Sequence, residues 1–505
     1  MHKGSVNQMA SDQRNRGVPF PDDFSDWHSD IPGGTPEDVQ WAVQQLTQLR
    51  YEPSVRHELL RLLTERREDA GEDVVQFDWL PAEVGFDTLL VRGELLITTE
   101  SYFGYPGGLK WNDRGQGARP YLDAVGLQPG RVECAELADK IVRLVPSKHL
   151  DAHVLADIAR NLRLRGFAAS FNYCTPTAPV HKLPPLIGSD QPPAPPPGQP
   201  LQPALHQPQP AALRAEKRPA KVARVAIIDT GIANQAVARA DGLLGGVPRT
   251  PDNIDPLTSF PIGGPHPFLD FSAGHGTFVA GIVNQVAPYA PIRMYREIDS
   301  DGMASEVDVA CAMIEAVKDG NQIINLSLGC RAQDDFPPVA LEAALAVIAE
   351  LDAGKPDEEK TIIVAAAGNC GDRRPFWPAA FSRPASSGAA PAVVSVAGLN
   401  PNMTPSLWSS RGFWVTCSTV GQGLHSTFVY GKESPLIDPA ETEFLPPNPF
   451  AVWSGTSFAA PQIAGAIAQL YQAPGATLRG ALRELLQLAV PIPDFGRAVQ
   501  VLKGI

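Results

Sequence analysis

Val225-Ala226-Ile227-Ile228-Asp229-Thr230-Gly231 is the stretch of sequence that indicates the fold of this chain. Four apolar residues, three of them β-branched, lead into a carboxylate and then into a turn of small residues. This pattern is typical of a buried parallel strand that brings its last side chain to the carboxyl end of a sheet. Ligands of open α/β sheets bind at that end. We therefore expect Asp229 to lie in a functional site.

Strand and helix patterns alternate along the chain from Lys221 onward. Strands are predicted near 222–228, 291–295, 322–327, 361–366, 392–397 and 413–417. Helices are predicted near 275–286, 305–318, 337–353, 457–471 and 476–488. This alternation favours the α/β class, with a parallel sheet covered by helices on both faces.

Two later motifs supply polar groups that can act together with a carboxylate. Gly274-His275-Gly276 places an imidazole at the start of an apolar helix, and Gly455-Thr456-Ser457 places a hydroxyl at the start of another. Serine is a poor nucleophile until a base takes its proton. An acid, a histidine and a serine in this order suggest nucleophilic catalysis, although each motif alone also fits a residue with a structural role at a helix start.

The three segments resemble the active-site motifs of the subtilisin-like serine proteases, the subtilase or peptidase S8 family. The resemblance covers roughly residues 221 to 490 and includes the full string Gly-Thr-Ser-Phe-Ala-Ala-Pro at 455–461. It implies a serine endopeptidase that hydrolyses peptide bonds through an acyl-enzyme. In this interpretation Ser457 is the nucleophile, His275 is the general base and then the acid, and Asp229 orients the imidazole.

Further motifs extend the resemblance to the residues that would bind substrate. Asn369 ends an Ala-Ala-Gly-Asn motif whose asparagine, in the family, donates a hydrogen bond to the oxyanion, although it also fits a turn. Ser327-Leu328-Gly329 resembles the strand that pairs with the substrate backbone, a case of strand addition at a sheet edge. The pocket for the residue before the cut would be lined by small residues, which suggests that it is roomy and apolar. These residues are Ala365, Ala366, Ala367 and Gly368.

Three other functions fit parts of this pattern. Asp-Thr-Gly is also typical of aspartic proteases, but these enzymes need two such carboxylates and the sequence contains no second Asp-Thr-Gly or Asp-Ser-Gly. Relatives with a Glu–Asp–Ser site would not carry a histidine at position 275. A catalytically silent module that captures extended peptides is the third alternative, against which the presence of all four polar site residues argues.

The composition of the chain bears on its partners and cofactors. The 505 residues carry a formal net charge of -13, which argues against nucleic acid or an anionic membrane as the main partner. No segment approaches the ~18 apolar residues that a membrane helix needs. The sequence shows no zinc motif, and no run of oxygen ligands between Asp229 and His275 matches a subtilase calcium site. We therefore expect no required metal and no cofactor.

The N-terminus and the cysteines bear on the location of the protein. Met1 to Pro19 is polar and lacks the apolar core of a secretory signal. The six cysteines are scattered, which favours free thiols in a reducing compartment over disulfides. We expect a cytoplasmic enzyme, with secretion as the alternative.

The N-terminal half differs in pattern from the rest of the chain. Residues 1–34 are polar and are expected to be disordered or loosely ordered. Between 35 and 181 we predict helices from Thr35 and Ser54 and at 150–164. Strands are predicted at Leu89–Val91 and Leu95–Ile97 around an Arg92-Gly93 turn, at 141–145 and at 167–173.

This mixture predicts a small α+β domain at 35–181. In pattern, though not in any motif, it resembles subtilase prodomains, which pack on the enzyme and help it to fold. An unrelated accessory or recruitment domain is the alternative. Residues 182–220 contain ten prolines between Leu186 and Ala220 and are predicted to be a semi-rigid linker, followed by the catalytic domain at 221–505.

Overall fold

A computed structural model describes most of the chain and shows two main sheets. The described residues are 60–61, 63–68, 75–81, 87–104, 116–176, 219–235, 244–257, 268–382, 391–433, 443–444, 450–487 and 489–504. The expected disorder at 1–34, the helix expected from Thr35 and the Pro-rich linker up to residue 218 lie outside them. Within the described part of the chain, no helix combines the length and the apolar character needed to cross a bilayer.

The first sheet has five strands, paired antiparallel, and is accompanied by four helices. Its strands are β1 (Phe77–Leu80), β2 (Thr88–Thr98), β3 (Leu127–Pro129), β4 (Ile141–Pro146) and β5 (Ala169–Tyr173). The helices are α1 (Thr99–Phe103), α2 (Arg119–Ala124), α3 (Ala135–Ala138) and α4 (Ala152–Leu164). The order is β1-β2-β4-β3, and β5 pairs with β2. This region therefore has the mixed α+β character that the sequence predicts.

The prediction of two strands around Arg92-Gly93 is wrong, because both segments belong to the single strand β2. Gly93 adopts a φ of 79°, and the pairing of β2 with β5 shifts register between Leu90 and Leu95. A glycine can take this left-handed conformation without strain. It absorbs the irregularity as a bulge and lets the strand continue, where a hairpin turn would have reversed it.

The second sheet has eight strands and is almost entirely parallel. Its strands are β6 (Val225–Asp229), β9 (Ile292–Arg296), β10 (Ile323–Leu326), β11 (Ile362–Ala366), β12 (Ala392–Leu399), β13 (Cys417–Val420), β18 (Val490–Ile492) and β19 (Gly496–Ala498). The order is β18-β19-β13-β12-β11-β10-β6-β9, and only the β18–β19 pair is antiparallel. The predicted α/β class with a parallel sheet is confirmed. The strand expected near 413–417 begins only at Cys417.

Helices in two packed pairs and several short strands complete this region. The helices are α5 (His275–Val286), α6 (Glu306–Lys318), α7 (Val339–Leu351), α8 (Thr456–Leu470) and α9 (Leu478–Gln487). The short strands are β7 (Ile232–Ala233), β8 (Ile254–Asp255), β14 (Leu424–Thr427), β15 (Gly431–Lys432), β16 (Glu443–Phe444) and β17 (Phe450–Trp453). Helix α5 packs against α8, and α6 packs against α7. These contacts bring the first turns of α5 and α8 to the end of the sheet where β6 stops.

The turn after β6 lies very close to the start of α5. A Cβ on Gly276 would stand 2.3 Å from the carbonyl oxygen of Gly231 and 3.1 Å from Oδ1 of Asp229. Gly231 itself has a φ of 104°, a conformation that favours glycine. Because Gly276 has no side chain, the helix can approach the Gly231 carbonyl closely enough to set His275 beside Asp229.

We expect Gly276→Ala to destabilise the protein, because the new methyl group overlaps a backbone oxygen that has little room to move. Overpacking of this kind lowers the free energy of unfolding by about 1–3 kcal/mol, which urea denaturation measures. Gly246→Ala is the matched control, since a Cβ at this exposed position meets no atom within 4 Å. Equal stabilities of the two variants would contradict the close approach.

A buried carboxylate joins the first sheet to two helices that cover the second. Glu306, at the start of α6, accepts a hydrogen bond from the backbone N–H of Tyr173 in β5 at 3.2 Å. It also accepts from the N–H groups of Ala340 and Leu341 in the first turn of α7. Burial nevertheless raises the pKa of Glu306 to about 8. The folded protein therefore holds this carboxyl in its neutral form at lower pH.

Glu306 should make stability fall as pH rises. Its ordinary pKa is 4.5 and its folded pKa is about 8. The folded chain therefore binds the extra proton, and the resulting stability is complete below 4.5 and lost as pH rises through about 8. We expect the urea midpoint of the wild type to fall more than that of Glu306→Gln between about pH 5 and about pH 9. The same pH dependence in both proteins would show that Glu306 does not titrate in this way.

Candidate active site

Asp229 and His275 form a buried hydrogen-bonded pair at the carboxyl end of the parallel sheet. Nδ1 of His275 lies 2.7 Å from Oδ1 of Asp229, and both side chains are fully buried. The same oxygen accepts the backbone N–H of Thr230 at 2.7 Å. A carboxylate at Nδ1 fixes the orientation of an imidazole and favours the tautomer whose lone pair is on Nε2. Nε2 of His275 has no hydrogen-bond partner among the residues that the structure describes.

Asp255, which we did not single out from the sequence, ties the Asp229 turn to the His275 helix. Its buried carboxylate accepts hydrogen bonds from two hydroxyl groups and two backbone N–H groups. The donors are Thr230 Oγ1, Ser300 Oγ, Gly274 N and Leu257 N. Burial raises the pKa of Asp255, and these hydrogen bonds act in the opposite direction. No motif surrounds this residue, so its role becomes visible only once the chain is folded.

Ser457 is the second residue of α8. Its Oγ donates to the carbonyl oxygen of Ser327 at 3.1 Å. The ring of the next residue, Phe458, packs against the imidazole of His275 with 5.3 Å between centroids. The serine and the histidine therefore border the same site, but in this structure the Ser457 hydroxyl bonds Ser327 and not His275 Nε2.

A proline inside α8 connects the nucleophile candidate to the Ser327 strand. In a regular helix the carbonyl of Ser457 would accept the N–H of residue 461, but Pro461 has no N–H to donate. The Ser327 hydroxyl donates to this carbonyl instead, at 2.7 Å. The side-chain amide of Asn325 in turn donates to the Ser327 hydroxyl at 2.9 Å. The helix start and the end of β10 are thus held together by two opposed hydrogen bonds between Ser327 and Ser457.

Asn369 is oriented by the residue that precedes Ser457. Its Oδ1 accepts the backbone N–H of Thr456 at 3.0 Å and the Thr456 hydroxyl at 2.8 Å. The same hydroxyl accepts the N–H of Gly368 at 3.0 Å. Because the amide oxygen is committed to Thr456, the Nδ2 end is the donor of this side chain. Thr456 is a positioning residue that the sequence motif contained but that we did not identify.

The Ser327-Leu328-Gly329 segment is paired with a segment of the same chain that follows β5. The N–H of Gly329 donates to the carbonyl of Pro176 at 3.0 Å, and the N–H of Thr175 donates to the carbonyl of Ala304 at 2.9 Å. Cys174 forms an antiparallel bridge with Ser305. Residues 174–176 therefore lie between two backbone segments in the position of an added strand.

The four small residues of the expected pocket are buried at the end of β11. They are Ala365, Ala366, Ala367 and Gly368. The expectation of a roomy pocket does not fit the structure, because the ring of Phe376 packs directly against Gly368 and Gly329. Phe376 comes later in the chain than these residues and reaches them only through the fold.

The metal prediction stays untested. In the described ranges, no three or more His, Cys, Asp or Glu side chains are grouped so that they could hold a metal ion. The carboxylates near the site already accept hydrogen bonds from N–H and O–H groups, as Asp255 shows. We therefore assign no metal ligands.

Similar proteins were found by sequence and by structure. Thermitase from Thermoactinomyces vulgaris is 28% identical over 253 residues, which is 48% of this chain and 72% of thermitase. A thermophilic serine proteinase from Bacillus sp. (strain AK1) is 28% identical over 257 residues, 49% of this chain and 51% of the relative. This chain thus spans only about half of the second protein's length.

Fervidolysin from Fervidobacterium pennivorans, described as a keratinolytic enzyme related to subtilisin, superposes with a TM-score of 0.50. It is 19% identical and the match covers 82% of this chain and 60% of fervidolysin, so it supports the fold alone. The sequence profile of the Subtilase family matches residues 221–490, more than half of the chain. The chain therefore belongs to the subtilase family of serine proteases.

Proposed function

We propose that this protein is a serine endopeptidase that cleaves peptide bonds through an acyl-enzyme on Ser457. The observation that carries the proposal is the buried Asp229–His275 pair, whose Nε2 is unpaired among the described residues and whose imidazole packs on Phe458, the residue after Ser457. In the proposed mechanism the Ser457 side chain leaves the Ser327 carbonyl and its Oγ hydrogen-bonds to Nε2. His275 then takes the hydroxyl proton, Oγ attacks the peptide carbonyl, and the imidazolium returns the proton to the leaving amine.

The charge that develops on the peptide oxygen needs donors that are already in place. Asn369 is suited to this role because Thr456 holds its amide oxygen, so that Nδ2 is the donor end of the side chain. The second donor is the backbone N–H of Ser457 at the start of α8, where the helix dipole favours negative charge. Water then attacks the acyl-enzyme with His275 again acting as the base.

Backbone pairing is the proposed means of holding the substrate. The N–H of Gly329 and the carbonyl of Ala304 already bind an extended peptide, namely residues 174–176 of this chain. Main-chain hydrogen bonds of this kind recognise any extended segment and give affinity without reading its side chains. The proposed substrates are therefore proteins or peptides in an extended conformation.

The same pairing supports an inhibitory role for the N-terminal region. A substrate cannot use the Gly329 N–H while the carbonyl of Pro176 occupies it. Arg67, from the helical segment at 63–68, adds a buried ion pair with Asp301, and Glu306 adds the contact with β5. An unrelated accessory domain would not need to cover the substrate-binding strand. We propose a regulatory domain at 35–181, a linker at 182–220 and a catalytic domain at 221–505.

A silent peptide-binding module is the second candidate, because the described residues directly display pairing with an extended segment. It predicts a folded protein that holds peptides and does not react with serine-directed reagents. The cytoplasmic location expected from the sequence stays a prediction.

Loss of the nucleophile and loss of the oxyanion donor should have different signatures. We expect a fluorophosphonate to label the wild type and not Ser457→Ala. Asn369→Ala should lower kcat by about 10²–10³, since one oxyanion donor is removed. Asn161→Ala, at an exposed position of α4, is the control and should behave as wild type. Absence of labelling in a folded wild-type protein would favour the silent module.

Self-processing should depend on Ser457 if the N-terminal region is an inhibitor. We expect intact-mass spectrometry of the purified wild type to show cleavage between residues 177 and 220 over time, with peptidase activity rising as the N-terminal fragment is released. The Ser457→Ala chain should remain whole under the same conditions. Full activity from an uncut chain would contradict the inhibitory role.

A further inference from the structure

The ring of Phe376 fills the space between the two backbone segments assigned to substrate binding. A Cβ on Gly329 would lie 2.3 Å from Cε1 and 2.9 Å from Cδ1 of this ring. A Cβ on Gly368 would lie 2.6 Å from its Cγ and 2.7 Å from its Cδ1. Atoms cannot approach this closely, so both glycines are in contact with the ring itself. The ring therefore occupies the gap between the substrate-pairing strand and the expected pocket wall.

The position of Phe376 is fixed by the backbone on both sides of the ring. The next residue, Trp377, exchanges two hydrogen bonds with Cys330, which directly follows Gly329. The carbonyl of Phe376 accepts the N–H of Ala380 at 2.8 Å. The side chain is only 4% exposed. A residue held in this way is part of the pocket, and a substrate side chain cannot easily displace it.

A pocket partly filled in this way discriminates by size. The ring of Phe376 is in contact with Gly329 on one side and Gly368 on the other, and neither can yield space because neither has a side chain to move. A substrate side chain larger than a methyl or hydroxymethyl group would then meet the aromatic ring. A mismatch of about one methylene in an apolar pocket changes kcat/KM by about 10- to 200-fold.

We propose that Phe376 closes the pocket for the residue before the cut and restricts the enzyme to peptides with glycine, alanine or serine at that position. This inference rests on the proposed peptidase function and names its substrate class. The small pocket then supplies the side-chain selectivity that the backbone pairing through Gly329 and Ala304 does not provide.

The test uses the full chain and a series of chromogenic peptides that differ only in the residue before the cut: glycine, alanine, leucine or phenylalanine. We expect the wild type to favour alanine over phenylalanine by at least about 10-fold in kcat/KM. Phe376→Ala should raise kcat/KM for the phenylalanine peptide by at least about 10-fold and change that for the alanine peptide little. Phe376→Val keeps part of the apolar volume and should give an intermediate ratio even if the alanine variant folds poorly.

Phe381→Ala is the matched control, because that ring packs on Trp377 with 4.5 Å between centroids and its loss should not change the ratio. Fluorophosphonate labelling, measured before and after incubation of each protein, separates the two proposals. Labelled wild type that prefers leucine or phenylalanine, or labelled variants with an unchanged ratio, would overturn the role of Phe376 alone. Folded protein that is never labelled would overturn the peptidase proposal and this inference with it.

Discussion

The hydrogen bond between Asp229 and His275 is the interaction around which the rest of the site is built. A carboxylate buried away from water is costly unless hydrogen bonds compensate it. Here the imidazole and the N–H of Thr230 both contact one oxygen of Asp229. The close approach of the β6 turn to α5 depends on Gly276, where a side chain would collide with the backbone carbonyl of Gly231. The sheet, the turn and the helix start are thus all required by one contact.

Around this pair, polar groups hold separate segments in register. Asp255 joins the β6 turn to the start of α5 through Thr230 and Gly274. Ser327 joins β10 to α8 by exchanging hydrogen bonds with Ser457, and this exchange depends on the missing N–H of Pro461. These contacts position the histidine and the serine at the starts of α5 and α8, two helices that also pack against each other.

Features that depend on residues close together in the sequence could be predicted, whereas contacts between segments far apart in the sequence could not. The run of apolar residues before Asp229 predicted a strand that ends at this carboxylate. The Gly-Thr-Ser string predicted that the Ser457 hydroxyl lies at the start of a helix. No local pattern identifies Asp255, because three of its four donors come from three distant segments. Phe376 was missed for the same reason. The size of the pocket was predicted from the small residues that line it, without the aromatic ring that lies between them. Gly93 does interrupt the regular strand, but it forms a bulge and not a hairpin turn, since β5 pairs with β2 on both sides of it.

The surface that binds the chain's own residues 174–176 is also the surface proposed to bind substrate, and this links inhibition to specificity. Backbone pairing at Gly329 does not depend on side chains. It therefore contributes the same affinity to the N-terminal segment as to any other extended peptide. What favours the segment is its covalent attachment and the additional contacts at Glu306 and Arg67. A free peptide lacks these contacts and gains only what its side chains contribute. In the proposed pocket, where Phe376 leaves little room, that contribution is small, so we expect the segment to be the preferred occupant for as long as it is covalently attached.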